Sequence, residues 1–213
     1  MARAPSSPGK TRLSPHYSES RLRVLRAALL ADTLLVVAAV PDVDRYIIFT
    51  PDDGEQEISA LAAGHFELVA QRGGDLGQRM QSAVQEIVVS RGCAAAILVG
   101  SDIPDLSVAC LTEARETLES NGGVVLGPAD DGGYYLIGMR AVHAELFRDI
   151  EWGSASVLAD TLGAAARAGV EARLLRGAYD IDTIEDLRRL ERDLEAGDQA
   201  APHVRAWLVG ANK

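Results

Sequence analysis

Apolar and polar positions along this chain switch between two periods. The runs "RYIIFT" (45–50), "FELVA" (66–70), "AAAILVG" (94–100), "GGVVLG" (122–127) and "YYLIGM" (134–139) are short, rich in β-branched or aromatic residues, and predict strands. Between them the apolar positions recur at helical spacing, over roughly 17–39, 76–90, 107–120, 155–168 and 183–195. In the last of these Leu187, Leu190 and Leu194 share one stripe, Thr183 stands where an N-cap belongs, and Gly197 marks a stop. Strands alternating with helices in this way predict an α/β fold, a mostly parallel sheet sandwiched by helices. In such sheets ligands bind beyond the carboxyl ends of the strands. Met1-Ala2-Arg3 leaves little room before the first loop, so the first strand is expected to be truncated. Residues 1–197 read as a single domain and 198–213 as a C-terminal tail, which either docks back or mediates self-association.

Charge sharpens the picture more than composition does. The chain has 213 residues, 47% hydrophobic and 24% charged, as ordinary soluble globular proteins have. Its net charge of −10 is unevenly spread: residues 1–26 hold six bases against Glu19, and the remainder holds 15 bases against 30 acids. An acidic body argues against nucleic-acid binding, where a basic face supplies most of the affinity. The basic arm still suits one small phosphorylated ligand, while Arg21, Arg23 and Arg26 read as a solvated helix face. The apolar stretch "AALLADTLLVVAAV" is interrupted by Asp32 and is too short to span a bilayer. Cys93 and Cys110 lack C-x-x-C spacing and read as free thiols of a reducing compartment, the four histidines are scattered, and no signal-peptide pattern opens the chain. A cytoplasmic protein without a membrane partner is the expectation.

Candidate chemistry gathers at the predicted strand ends. "APSSPGKTRL" (4–13) is a stiff loop of small residues carrying Lys10 and Arg12, groups that pair with phosphate oxygens. "QRGGDLGQRM" (71–80) sets Gly74 and Asp75 before a helix; Asp75 reads as its cap or as a ligand-binding group. "AAAILVGSDIPDL" (94–106) pushes Asp102 off an apolar strand with no evident structural task, whereas Asp105 suits a turn or cap. "GPADDGGYYLIG" (127–138) offers Asp130 and Asp131, the flexible pair Gly132 and Gly133, and the rings of Tyr134 and Tyr135; a polar hairpin turn is the plainer reading. In "AYDIDTIEDL" (178–187), Asp180 and Asp182 alternate on a predicted strand and point the same way, which is costly without a nearby positive charge. Several acids, a basic loop and glycine turns at one sheet edge suit a divalent cation bridging carboxylates to a di- or triphosphate, with Mg²⁺ or Mn²⁺ favoured by hard oxygen ligands. No P-loop and no G-x-G-x-x-G fingerprint competes.

Taken in order, "KTRL", "GGDLGQRM", "VGSDIPDL", "GPADDGGYYLIGM", "EWGSASVLADT" and "DIDTIEDLRRLE" resemble a bacterial glycosyltransferase-like branch of the nucleotide-diphospho-sugar transferase superfamily, the branch associated with radical-SAM and selenium-domain proteins. The match runs from about residue 2 to 195, with a more distant similarity to the phospholactate guanylyltransferases. The resemblance implies a GT-A-type fold and a metal-dependent transferase. It matches Lys10 and Arg12 to the phosphate-binding loop, Asp102 to the metal-binding aspartate with Asp182 as the second metal ligand, and Asp131 with Gly132 and Gly133 to the acceptor-side loop. Beside these, Gly74 and Asp75 are expected on the nucleotide side, Asp130 or Asp131 as the catalytic carboxylate, and Tyr134 on the acceptor side. The implied partners are a nucleotide-sugar or NTP and a small-molecule acceptor. Glycosyl transfer is the favoured reaction, nucleotidyl transfer with pyrophosphate release the alternative, and nucleotide binding without turnover the third reading.

Overall fold

A computed structural model describes residues 1–197 and 201–211 of the chain. The polypeptide divides into two compact units. The first takes Met1–Ala70, Ser101–Val108 and the chain from Tyr179 onward; the second takes Gln71–Gly100 and Ala109–Ala178.

The first unit is built on three parallel strands in the order β1 (Ala2–Arg3), β2 (Tyr46–Thr50), β3 (Glu67–Ala70). The first strand is indeed a stub: it pairs only Ala2 with Phe49 and Arg3 with Thr50. Helix α1 (Glu19–Ala38) starts at Ser18, whose extended backbone lets its hydroxyl accept from the Arg21 N–H. It is apolar on two sides because it is covered on two sides. Leu22, Leu25 and Leu29 pack with Leu187, Leu190 and Leu194 of α6 (Ile184–Ala196), whereas Leu30 and Leu34 pack with Ile47, Phe49 and Ile58. Ile58 belongs to α2 (Glu55–Ala62), a short helix that the apolar spacing did not announce. The α6 stripe, the Thr183 cap and the Gly197 stop stand as expected; Thr183 and Asp186 form a reciprocal capping box.

Beyond α6 the chain adds α7 (Pro202–Ala211). Of the tail expected over 198–213, residues 198–200, 212 and 213 lie outside the described residues. Val204, Trp207 and Leu208 are buried in the α1–α6 core, so α7 docks back. Its amino end is capped from α1: Asp32, which breaks the apolar run, accepts the N–H groups of His203 and Val204, each at 3.0 Å, and lies 2.7 Å from His203 Nδ1. Arg21 donates to the Trp207 carbonyl and lies over its ring, and Trp207 Nε1 donates to the Arg21 carbonyl. Asp32→Ala should therefore cost about 2 kcal/mol, the order of a lost helix cap plus a buried donor left unmet. Thermal unfolding and limited proteolysis at α7 measure this; unchanged protection of α7 would refute the capping role. Among the described residues, no helix is long and apolar enough to cross a membrane.

The second unit carries four strands in the order β4 (Ala96–Val99), β6 (Tyr134–Met139), β5 (Val124–Pro128), β7 (Ala172–Leu174). Its helices are α3 (Leu76–Gln85), prolonged by a π-helical turn over Glu86–Ser90, α4 (Val108–Asn121) and α5 (Val157–Ala168). Strand β7 escaped the sequence reading because it has three residues, two of them exposed. Three of the five strand pairings are parallel, but β6 runs antiparallel to both β4 and β5. Only residues 129–133 separate β5 from β6. A parallel return needs a crossover of a dozen or more residues, so this connection can only be a hairpin. The Asp-Asp-Gly-Gly segment is therefore the turn of that hairpin.

Candidate functional site

The loop after β1 is fastened at several points within the first unit. The Ser6 N–H donates to Glu57 Oε2 of α2 at 2.9 Å. Arg26 reaches from α1 to the carbonyls of Pro5 (2.9 Å) and Gly9 (3.0 Å), and also pairs with Glu19. The Arg26 side chain is only 10% exposed, which corrects its reading as part of a solvated face. Arg23 pairs with Glu57 at 2.8 Å, and Arg21 stacks on Trp207. Local spacing marks these arginines as polar positions of α1; it does not say that a loop and a distant helix will cover two of them. Arg26→Met should leave the fold intact and loosen the loop, raising its rate of proteolytic cleavage about tenfold, because two loop carbonyls lose charge-assisted donors. Limited proteolysis over residues 5–9 checks this, and an unchanged cleavage rate would free Arg26 of any positioning role.

Lys10 ends this loop with a left-handed backbone, φ 57° and ψ 39°, and opens a 3₁₀ turn over Thr11–Leu13. Leu13 is fully buried among Leu22, Leu25 and Leu187, anchoring the turn. Lys10 Nζ lies 2.6 Å from Asp102 Oδ2 and 2.9 Å from Asp182 Oδ1, so the two carboxylate oxygens are within about 5.5 Å of each other. The Lys10 side chain is 8% exposed, against 37% for Asp102 and 42% for Asp182. Arg12, largely exposed, stands 4.0 Å from Asp182 Oδ2.

The two carboxylates arrive by different routes. Asp102 lies in the Ser101–Val108 segment, and its carbonyl accepts the N–H of Ile181 at 3.2 Å. Asp182 sits one residue before the α6 cap, where its N–H donates to Asp186 Oδ2 at 3.0 Å. The segment 179–182 is not the strand expected for it; Ala178 makes only an isolated bridge to Ala129. Ile181 is instead drawn fully into the core between two aspartates left near the surface. Burial disfavours the charge on Lys10, but Asp102 and Asp182 outweigh it and hold the ammonium above the usual lysine range. Burial likewise pushes the Asp182 carboxyl upward; Lys10, then Arg12 and a hydrogen bond with Asp180, bring it below the ordinary value.

The remaining sequence candidates belong to the second unit, and several have structural tasks there. Asp75 caps α3, its Oδ1 accepting the Gln78 N–H at 2.8 Å, and the Gly74 N–H donates to Gln78 Oε1 at 2.9 Å. Asp131 closes an Asx turn by accepting the Gly133 N–H at 2.8 Å, and the Asp130 N–H donates to the Ala178 carbonyl at 3.0 Å. Gly132 has φ +90°, and its carbonyl accepts the Leu158 N–H of α5 at 2.9 Å. Tyr134 is half-buried, edge-on to Trp152 at 6.4 Å, and burial raises its phenol, with neighbouring Thr161 only partly opposing this. Tyr135 is a core residue whose hydroxyl meets Cys110 Sγ at 3.0 Å and donates to the Arg176 carbonyl. Trp152 packs on Gly77 of α3, where an added Cβ would fall 2.6 Å from the indole.

Residues 33–154 match the family described as "Uncharacterized protein conserved in bacteria (DUF2064)". The chain belongs to that family. The matched span of this DUF2064 protein includes Asp102 and the 130–133 turn, while Lys10, Arg12 and Asp182 lie outside it. No curated protein matches the sequence. Among solved structures, a Desulfovibrio desulfuricans protein described as a nucleotide-diphospho-sugar transferase is similar over 99% of this chain and 94% of its own, at 29% identity and a TM-score of 0.84. A 4-diphosphocytidyl-2C-methyl-D-erythritol synthase from Anaerococcus prevotii shares the fold at 13% identity and TM-score 0.58, covering 78% of this chain and 86% of its own. A CMP:2-keto-3-deoxy-manno-octonic acid synthetase complexed with CTP does so at 13% and 0.56, covering 80% and 88%. The DUF2064 chain thus has the nucleotide-diphospho-sugar transferase fold that its motifs resemble.

Asp102 and Asp182 present the hard oxygen donors that Mg²⁺ and Mn²⁺ prefer. Among the described residues, no group of three or more His, Cys, Asp or Glu side chains is placed to hold a metal ion. Mg²⁺ usually takes one or two carboxylates and fills its shell with waters and substrate phosphates. The pair therefore fits such an ion in company with a phosphorylated ligand.

Proposed function

We propose that this protein is a metal-dependent transferase that uses a nucleotide-activated donor, and that it moves a glycosyl group from a nucleotide-sugar to a small acceptor. One observation carries the reading: Lys10, at the end of a fastened loop, stands between Asp102 and Asp182 with Arg12 beside them. Two cations on a small-residue loop match the charge of a diphosphate, and two adjacent carboxylates match the Mg²⁺ or Mn²⁺ that accompanies it. When bound, the ion would neutralise charge on the departing phosphates. Lys10 and Arg12 bind and orient the diphosphate. In the transfer, the bond from the sugar's anomeric carbon to the phosphate oxygen breaks, the acceptor oxygen bonds to that carbon, and nucleoside diphosphate leaves. The acceptor proton goes to a carboxylate, for which Asp130 and Asp131 are the candidates. Gly132 and Gly133 on the acceptor side follow the family resemblance, and Gly74 and Asp75 on the donor side and Tyr134 on the acceptor side complete the assignment. The 29% identity to a protein described as a nucleotide-diphospho-sugar transferase supports this choice of donor.

Nucleotidyl transfer is the second reading, favoured by the pairing of Lys10 with Arg12, which suits a triphosphate. There the acceptor oxygen bonds to the α-phosphorus and pyrophosphate leaves. One assay separates the two: nucleotide-sugar and NTP panels with Mg²⁺ or Mn²⁺ and hydroxyl or phosphorylated acceptors. Nucleoside diphosphate released from a nucleotide-sugar supports glycosyl transfer. Pyrophosphate alone replaces it with nucleotidyl transfer, and tight nucleotide binding with neither product leaves a binding module.

A further inference from the structure

We propose that Lys10 is a built-in counter-cation that keeps the Asp102–Asp182 pair closed to a free divalent ion, so that metal and polyphosphate bind only in concert. This rests on the reading of the two aspartates as metal ligands. Lys10 Nζ bonds one oxygen of each, at 2.6 and 2.9 Å, and Arg12 stands 4.0 Å from the second oxygen of Asp182. Each of the two acids thus already has a cationic partner. A free dication meets a pair whose charge is already met by a near-buried ammonium. To coordinate both carboxylates it must break two charge-assisted hydrogen bonds and strand that ammonium in a site 8% exposed.

A di- or triphosphate removes the obstacle. Its oxygens give Lys10 and Arg12 new partners, and once both cations turn to them the Asp102 and Asp182 carboxylates are left without a counter-cation. The ion then has carboxylates to bind, and phosphate oxygens beside them. Conversely, a polyphosphate without the ion must draw Lys10 away from two carboxylates and leave them facing each other. Each ligand thus lowers the cost of the other, and linkage makes the effect reciprocal.

The test uses Mn²⁺ alone, titrated into the full chain by calorimetry or by electron paramagnetic resonance. Wild type should bind it weakly, K10M at least about tenfold more tightly, and the double variant K10M/D102N should lose that gain. Wild type binding Mn²⁺ as tightly as K10M would overturn the inference while leaving the carboxylates as metal ligands. Failure of every variant to bind would end both. If K10M does not fold, as judged by circular dichroism, K10Q takes its place. A second measurement needs no variant, because Lys10 and Lys213 are the only lysines of the chain. Amine acylation read by mass spectrometry should find Lys10 protected, and unchanged by Mn²⁺ alone. Exposure of Lys10 by Mn²⁺ alone would also overturn the proposal.

Discussion

Asp102→Asn is expected to leave the thermal midpoint within a few degrees of wild type and to lower nucleotide-dependent transfer at least about a hundredfold. The fold should hold because the Asp102 side chain is 37% exposed, and its carbonyl, which the substitution keeps, is what bonds Ile181. Lys10 also retains Asp182 as a partner at 2.9 Å, so its ammonium keeps a counter-anion. What disappears is one of two anionic oxygen donors, and an amide is a far poorer ligand for a hard dication. Turnover, calorimetric nucleotide binding with and without Mg²⁺, and a thermal melt measure the three parts. Normal nucleotide and metal binding by this variant would move the site elsewhere. A collapsed melt would make Asp102 a structural residue.

Gly132→Ala is expected to destabilise the protein by about 3 kcal/mol or more, about 6–12 °C in Tm for a chain of this length. Two costs combine at this position. The backbone has φ +90°, a conformation that side-chain-bearing residues rarely adopt, and an added Cβ would stand 2.2 Å from the Ala155 carbonyl oxygen. Neither side can yield cheaply: the Gly132 carbonyl holds the Leu158 N–H of α5, and the Ala129 carbonyl holds the Gly132 N–H. Gly169→Ala is the matched control, with φ +68° and nothing within 4 Å of the new Cβ, so only conformational strain of about 1 kcal/mol applies. Equal melting temperatures for the two variants would show that the contact with Ala155 carries no weight.

The secondary structure was legible wherever a segment buried one continuous stripe. Helix α6 is the clearest case, since Leu187, Leu190 and Leu194 repeat at helical spacing between a Thr-Asp capping box and a glycine stop. The elements that escaped are those whose stability is borrowed. Helix α2 has only two buried side chains, and α7 needs Asp32 from another helix to cap it. The hairpin between β5 and β6 could have been read from its length alone, because five residues cannot carry a parallel crossover. Asp182 was expected on a strand, yet its environment comes from the capping box that follows it and from a lysine 172 positions away.

Local sequence by itself determined which residue types stand at which chain positions: a basic small-residue loop, aspartates after apolar segments, and glycine turns. Those choices depend on short-range propensities and on apolar period, both of which neighbours in the chain suffice to express. Only tertiary structure decided which of these groups meet. It brought Asp102 and Asp182 within 3 Å of the Lys10 ammonium, and it gave Asp75 a helix to cap and Asp131 a turn to close. It also took Arg26 from solvent to the loop carbonyls and Asp32 to the end of α7. Charge pairing at a distance in sequence depends on how packed elements bring side chains together and on how much water they exclude. No local pattern encodes either.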